Sequence, residues 1–388
     1  MTDCNIPFNW PYMTGRELKY IAESHACGHL AGDGPFTKRC QAWLEQRMGS
    51  NRALLTPSCT AALEMMALLL DIGDGDEVIM PSFTFVSTAN AFVLRGGVPV
   101  FIDIRPDTLN LDENNIEKAI TPRTKAIVPV HYAGVACEMD AILAIAERYN
   151  LAVAEDAAQG AMASYRGRPL GSIGDLGALS FHETKNVISG EGGALLVNSE
   201  RYARRAEIIR EKGTDRSRFL RNEIGKYTWQ DKGSSYLPSE LIAAFLWAQL
   251  EEAERITRIR LSLWDYYYEA AEPLEREGFL RRPIIPEGCA HNAHMFYVLL
   301  SPNADRSEVL AALSDEGINA VFYYVPLHDS PAGRRYGRVY GDLSITNDLS
   351  SRLIRLPMWV GLREVDQDRV VDALTRVLTR HGTMCRHK

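Results

Sequence analysis

The run Val78-Ile79-Met80, a helical stretch at 87–94, and Val98-Pro99-Val100-Phe101-Ile102 ending in Asp103 set the organisation of this chain. Short, nearly continuous apolar strands that alternate with helices belong to a mostly parallel sheet covered on both faces. The unit recurs as Ala126-Ile127-Val128-Pro129-Val130 with a helix at 139–149, and as Leu151-Ala152-Val153-Ala154 closed by Glu155-Asp156. In such sheets ligands collect beyond the carboxyl ends of the strands. The candidate site is therefore sought just past each strand, at Phe83 and Phe85, at His131, at Asp156, and in the stretch after Ala178-Leu179.

Working outward, residues 15–27 and 35–48 read as helices, joined by the turn Leu30-Ala31-Gly32-Asp33-Gly34-Pro35. Ala53-Leu54-Leu55 reads as a strand, and Thr56-Pro57-Ser58-Cys59-Thr60 leads into a helix at 61–70. Hydroxyl residues at that point either cap the helix or join its free amides in holding a phosphate. Downstream, 199–210 is expected as a helix, 211–232 as a polar, arginine-rich loop, and 239–271 as one long helical stretch stopped by Pro273 and Gly278. The domain boundary is expected inside that stretch, near Arg260. This gives a large domain, 1–260, and a smaller α+β domain, 261–388, on which the first ~25 residues are free to pack. The smaller domain is read from apolar segments at 295–300 and 320–325 and helices at 307–316, 345–353 and 364–379, with 385–388 as a frayed tail.

Composition narrows the class. With 388 residues, 46% hydrophobic and 24% charged, the chain is expected to be globular, and its net charge of −7 argues against a nucleic-acid binder. Seven scattered cysteines without a C-x-x-C pair point to neither a disulfide framework nor a metal site. A reducing cytoplasm is expected. Met1-Thr2-Asp3-Cys4-Asn5 lacks the features of a signal peptide, and no later apolar run is long enough to span a membrane.

The chemistry centres on Ser180-Phe181-His182-Glu183-Thr184-Lys185-Asn186, followed by Ser189-Gly190-Glu191-Gly192-Gly193. A lysine between apolar segments, beside glycines that admit close backbone approach, is placed to react with a carbonyl. Three other strand-end features complete what pyridoxal 5′-phosphate (PLP) needs. Ser58, Cys59 and Thr60 offer a phosphate site, Cys59 through its backbone N–H. Phe85 offers a face for the pyridine ring, or else belongs to the core. Asp156 either keeps the ring nitrogen protonated or caps a following helix. Lys185 supplies the amine. Gly190 to Gly193 is not a dinucleotide fingerprint, because it lacks the G-x-G-x-x-G spacing and precedes a strand-like run.

Thr56-Pro57-Ser58-Cys59-Thr60-Ala61, Pro81-Ser82-Phe83-Thr84-Phe85-Val86-Ser87-Thr88, Glu155-Asp156-Ala157-Ala158-Gln159 and the Lys185 stretch resemble the DegT/DnrJ/EryC1/StrS family of nucleotide-sugar aminotransferases. The resemblance runs from about Asn5 to the last helix and includes Tyr323-Tyr324-Val325-Pro326-Leu327-His328. It implies the fold type I architecture of PLP-dependent aminotransferases, with pyridoxamine 5′-phosphate as the intermediate form of the cofactor. It implies L-glutamate as amino donor, a dTDP-linked keto sugar as acceptor, and a homodimer with shared active sites. It also implies that Gln159 lies beside the cofactor ring and Ser180 at its phosphate. Where many relatives carry Asn in the segment reaching the neighbouring subunit's phosphate, this chain has Gly233-Ser234-Ser235-Tyr236, so Ser235 is the candidate there. Asp33, Tyr323 and His328 are candidate substrate contacts. Arg216, Arg218 and Arg221 either hold the sugar nucleotide's diphosphate or form a solvated basic face. Three alternatives keep the fold: C3 amination, sugar dehydration, against which Lys185 argues because such relatives carry histidine there, and a non-catalytic sensor.

Overall fold

The computed structural model describes residues 5–385, with side chains through residue 379. The readings of residues 1–4 and 386–388 lie outside the described residues. The strands in chain order are β1 (Arg52–Thr56), β2 (Glu77–Pro81), β3 (Val98–Ile102), β4 (Thr124–Ile127), β5 (Ala152–Asp156), β6 (Ser164–Tyr165), β7 (Arg168–Pro169), β8 (Leu176–Ser180), β9 (Gly193–Val197), β10 (Leu280–Arg281), β11 (Cys289–Ala290), β12 (Phe296–Leu300), β13 (Arg338–Val339) and β14 (Leu353–Leu356). Eight form one sheet in the order β1-β9-β8-β5-β4-β2-β3-β13. Its centre is parallel, while β9 runs antiparallel to β1 and β8.

Alternate residues of these strands enter two separate cores. Leu55, Ile79, Ile127, Val153 and Leu196 face one side, where the helices Pro35–Met48, Met139–Tyr149 and Glu240–Leu250 cover them. Leu54, Val78, Met80, Ala126 and Leu195 face the other, under the helices Cys59–Leu69, Val86–Val93 and Glu200–Arg210. Burial on both faces is why the strands read as unbroken apolar runs.

A third core holds Trp264, Tyr267, Phe296, Val298 and Leu374 around the antiparallel sheet β10-β12-β14. Ile6 joins this core and bridges to Ile318, whereas the helix Glu17–Ala26 packs on Glu240–Leu250. From the C-terminal half, β13 adds to the large sheet in parallel with β3.

Five stretches differ from expectation. The strand read at 126–130 stops at Ile127, because Pro129 has no N–H for the ladder; its carbonyl accepts from Asp156 N–H instead, and Val130 is left in an isolated bridge. The stretch 239–271 is two helices, Glu240–Leu250 and Ala253–Ala270, broken where the Glu252 N–H bonds back three residues to Gln249. The loop 211–232 contains the helix Arg216–Leu220 and a Thr214–Trp229 bridge. Of 320–325, only Val321 pairs, in a bridge with Arg355. The last helix runs on to Cys385.

Candidate active site

The carboxyl ends of β5 and β8 and the start of the helix Cys59–Leu69 open into one cavity of ≈ 580 Å³. Ser58, Cys59, Thr60, Phe85, Asp156, Gln159, Ser180, Lys185 and Tyr323 all line it. Distant sequence motifs therefore meet at one place.

Ser58 caps the helix, its Oγ accepting from Ala61 N–H at 3.1 Å. Capping and anion binding are not exclusive, since the first-turn amides still lack intrahelical partners. Thr60 Oγ1 lies 2.8 Å from Ser87 Oγ, tying this turn to the neighbouring helix. The end of β9 closes from behind: a Cβ on Gly193 would lie 2.5 Å from the Cys59 nitrogen, so only glycine fits.

Asp156 ends β5 with Oδ2 accepting from Thr88 Oγ1 at 2.7 Å and Oδ1 from Ala158 N–H at 3.1 Å. Thr88 is in turn 2.8 Å from Thr84. Turns, not a helix, follow Asp156, so helix capping does not explain it. Phe85 is not a core residue: it is 48% exposed and leans toward Tyr324, at 6.2 Å between ring centres. Gln159 is fixed at both ends, Nε2 donating to Tyr324 OH at 3.0 Å and Oε1 accepting from Ala133 N–H at 2.6 Å.

Lys185 follows β8 in a turn where its N–H donates to His182 O and Glu183 N–H to Gly190 O. Gly190, at φ +79°, takes the left-handed conformation that this turn requires. Burial lowers the Lys185 pKa below the ordinary lysine value, and the charge of Arg355 adds to the lowering; Cys59 and Asp156 offset part of it. A lysine so placed holds more of its amine in the free, nucleophilic form.

Other expected contacts lie elsewhere. Asp33 pairs with the buried Arg210 at 2.7 Å, and His328 Nδ1 is 2.7 Å from Ser82 Oγ; neither lines the cavity. Arg216 is taken by Glu211, Arg218 by Glu223, and Arg221 by Glu207 and Glu223, as on a solvated face. Ser235 is exposed and also lies outside the cavity.

Four cavity residues were not anticipated. His294 donates from Nδ1 to Asn186 Oδ1, whose amide nitrogen is committed to Asn292 O. Arg355 comes from β14, Tyr324 from the segment before it, and Phe8 from the N-terminus. Only Arg355 carried a signal, a charge inside the apolar run Leu353-Ile354-Arg355-Leu356.

A free amine, a carboxylate beyond a strand, an aromatic face and a helix N-terminus pinned by Gly193 fit PLP group by group. Fold and site together define a PLP-dependent aminotransferase. The chain belongs to the DegT/DnrJ/EryC1/StrS aminotransferase family, whose model matches residues 11–375. It is 32% identical to the spore coat polysaccharide biosynthesis protein SpsC of Bacillus subtilis, over 96% of this chain and 97% of that one. It resembles S. venezuelae DesV, solved in complex with a ketimine intermediate, at a TM-score of 0.86 and 29% identity over 97% and 99% of the two chains. The fold is also that of Spr1654 from Streptococcus pneumoniae in its PMP form, at a TM-score of 0.90 and 24% identity over 98% of this chain and 100% of that one.

Proposed function

We propose that the chain transfers the amino group of L-glutamate to C4 of dTDP-4-dehydro-6-deoxy-D-glucose, giving dTDP-4-amino-4,6-dideoxy-D-galactose for polysaccharide assembly. The observation that carries this is the convergence of Lys185, Asp156 and the first turn of Cys59–Leu69 on one cavity. The choice of sugar rests on Ile6-Pro7-Phe8-Asn9, Gly32-Asp33-Gly34, the segment 131–140 and Asn292-Ala293-His294-Met295-Phe296-Tyr297. These are similar to dTDP-4-amino-4,6-dideoxygalactose transaminase of the enterobacterial common antigen pathway.

PLP, when bound, supplies an aldehyde that takes up the donor's nitrogen and a ring that draws electrons from the α-carbon. Ser58, Thr60, Ser180 and the free amides of the first turn would hold its phosphate. Asp156, oriented by Thr88, would hold the ring nitrogen protonated, and Phe85 and Gln159 would contact the ring. With the cofactor bound, the Lys185 amine, once released by the donor, would be free to take the donor's α-proton and hold it for return, and would move a proton in the opposite sense once the keto sugar has entered.

The protein is further proposed to be a homodimer, with the segment carrying Arg216, Arg218 and Ser235 serving the partner's cavity. The two-domain division near Arg260 is supported by the separate core around β10-β12-β14. Cytoplasmic placement is likewise proposed; the five cysteines among the described residues for which pairing is given are free, and no described helix is long and apolar enough to cross a membrane.

The purified protein is expected to absorb in the near-visible with PLP, to respond to L-glutamate, and to lose both in Lys185→Ala. NMR of the product from the keto sugar should place the new amine at C4. A colourless wild type after PLP addition would overturn amine transfer; amine at C3, or deoxygenated sugar without 2-oxoglutarate, would overturn the reaction assigned.

A further inference from the structure

We propose that His294 is a positioning residue for the proton transfers: its Nε2 accepts a hydrogen bond from the Lys185 side chain after that amine has been released and has taken up a proton. The inference rests on the amine-transfer reading above and deepens it by naming what holds the proton carrier between taking its proton and returning it.

His294 stands just before β12 and is 5% exposed at the cavity wall. A chain of hydrogen bonds leaves its ring a single orientation. Asn186 Nδ2 donates to Asn292 O at 2.7 Å, so Asn186 presents only its oxygen to the imidazole. Nδ1, 3.1 Å from that oxygen, must therefore carry the ring proton, and Nε2 is left as a bare acceptor. Asn292 is itself fixed, its amide donating to Gln159 O at 2.8 Å and to Ala161 O at 2.7 Å. Nε2 has no partner among the described residues, a costly condition for a buried acceptor. Burial, and after it the charges of Lys185, Arg355 and Arg260, hold the imidazole pKa well below its ordinary value, so Nε2 stays unprotonated at neutral pH.

The surroundings of the ring identify the donor that Nε2 lacks. The side chain bonded to Nδ1 belongs to the residue directly after Lys185, so the acceptor keeps its register with that lysine. Of the three cations felt at the imidazole, Lys185 weighs most. Arg260 is committed to Ala293 O and His294 O, and Arg355 lies over the rings of Phe8 and Tyr323, at 4.9 Å and 5.8 Å. Hydroxyls on the cavity wall bond one another, Thr60 with Ser87 and Thr84 with Thr88. Lys185, in turn, changes its needs during the reaction. Taking the α-proton breaks a C–H bond, leaves the electron pair on the carbon and forms an N–H bond, so a neutral amine becomes an ammonium with three donors. Enclosed in the cavity, that ammonium needs acceptors. Asp156 is poorly suited, because Thr88 and Ala158 already donate to its oxygens. A neutral imidazole nitrogen stabilises the ammonium without the full charge that would keep the proton from being returned.

Two amide substitutions separate the ring nitrogens, because an asparagine amide reaches only the Nδ1 position and a glutamine amide reaches the Nε2 position. His294→Asn should keep the bond to Asn186 and lose the acceptor. In single-turnover absorption measurements with PLP bound, it should slow the reaction with L-glutamate roughly ten- to a hundredfold. Reaction of the pyridoxamine phosphate form with the keto sugar should slow by a similar factor, because the same lysine serves both. Half-saturation by either substrate should stay unchanged. The isotope effect with α-deuterated glutamate should rise, and His294→Gln should recover part of both rates. A second readout needs no turnover. In nitrogen NMR of the PLP-loaded protein near neutral pH, the His294 signals, assigned by their absence from His294→Asn, should show a protonated Nδ1 and a bare Nε2. A protonated Nε2 overturns the proposal, as do unchanged rates in a folded, PLP-binding His294→Asn. A loss confined to the half-saturation of one substrate also overturns it and makes His294 a contact of that substrate. A wild type that binds PLP but takes no amine from L-glutamate fails one step earlier, at the functional reading.

Discussion

Histidines around the cavity show how a single partner decides what an imidazole does. His131 Nδ1 accepts from Cys137 N–H at 3.2 Å, so Nε2 carries the proton and donates it to Glu155 at 2.8 Å. Glu155 also accepts from the N–H groups of Gly171, Ile173 and Gly174, which anchors the strand end that carries Asp156. His131 is thus structural, although its position after a strand made it look like a site residue. His291 has no carboxylate; it packs 4.5 Å from Trp264, and burial lowers its pKa from 6.5 to about 4. Its stabilising neutral form is fully present above 6.5, and stability falls as the unfolded state takes up protons down to about 4. Acid melting between those limits should cost about 2–3 kcal/mol from this group. In His291→Asn the fall in melting temperature over that window should be shallower; parallel curves would show that His291 does not titrate in the native state as burial dictates. Lys185 and Asp156 were legible in the sequence because a strand end announces itself locally. Arg355 and His294 were not, because their relation to Lys185 exists only once segments more than a hundred residues apart have packed.

The same divide between local and distant signals holds for whole elements. The helix Pro35–Met48 matches its sequence reading end to end, with proline in the first turn and Gly49 in the left-handed conformation after its last residue. Its N-terminus, however, has no capping side chain of its own. Glu240, from the start of Glu240–Leu250, accepts instead from the N–H groups of Gly34, Phe36 and Thr37 and from the Thr37 hydroxyl. This carboxylate is fully buried, so it serves one helix's first turn while beginning another. Glu240→Ala leaves several buried donors unmet and should lose about 3–5 kcal/mol in urea unfolding. Glu240→Gln keeps one acceptor oxygen and should lose less. Equal losses would show that packing volume, and not the acceptor, holds the two helices together. The strand assignments succeeded for the opposite reason: burial on both faces leaves an apolar run that needs no distant partner to be recognised. Where that pattern ran into Pro129, the ladder ended sooner than hydrophobicity alone indicated.

For the molecule as a whole, the unresolved expectation is the segment 211–236. Trp229 is 82% exposed, Leu220 53% and Tyr227 43%, and the Phe219 and Tyr227 rings meet at 5.7 Å. Ion pairs with Glu207, Glu211 and Glu223 give the segment a defined shape. An ordered arm that presents large apolar side chains to solvent suits an interface. Ser235 and Arg216 on that arm lie outside their own chain's cavity, and the homodimer proposed above would bring each arm to the other chain's site. The protein should therefore sediment at twice the 43.4 kDa chain mass, and Trp229→Asp should shift it toward the monomer. Sites shared in the way proposed would allow a sharper test. Lys185→Ala chains have an intact arm and no amine, whereas Ser235→Asp chains have the amine and an arm that repels phosphate. Each variant alone should be nearly inactive. Unfolded together and refolded at equal amounts, they should recover about a quarter of wild-type turnover, since half the dimers are mixed and each mixed dimer rebuilds one site of two. Failure to recover activity in verified mixed dimers would place each site within a single chain and leave the arm a purely structural interface.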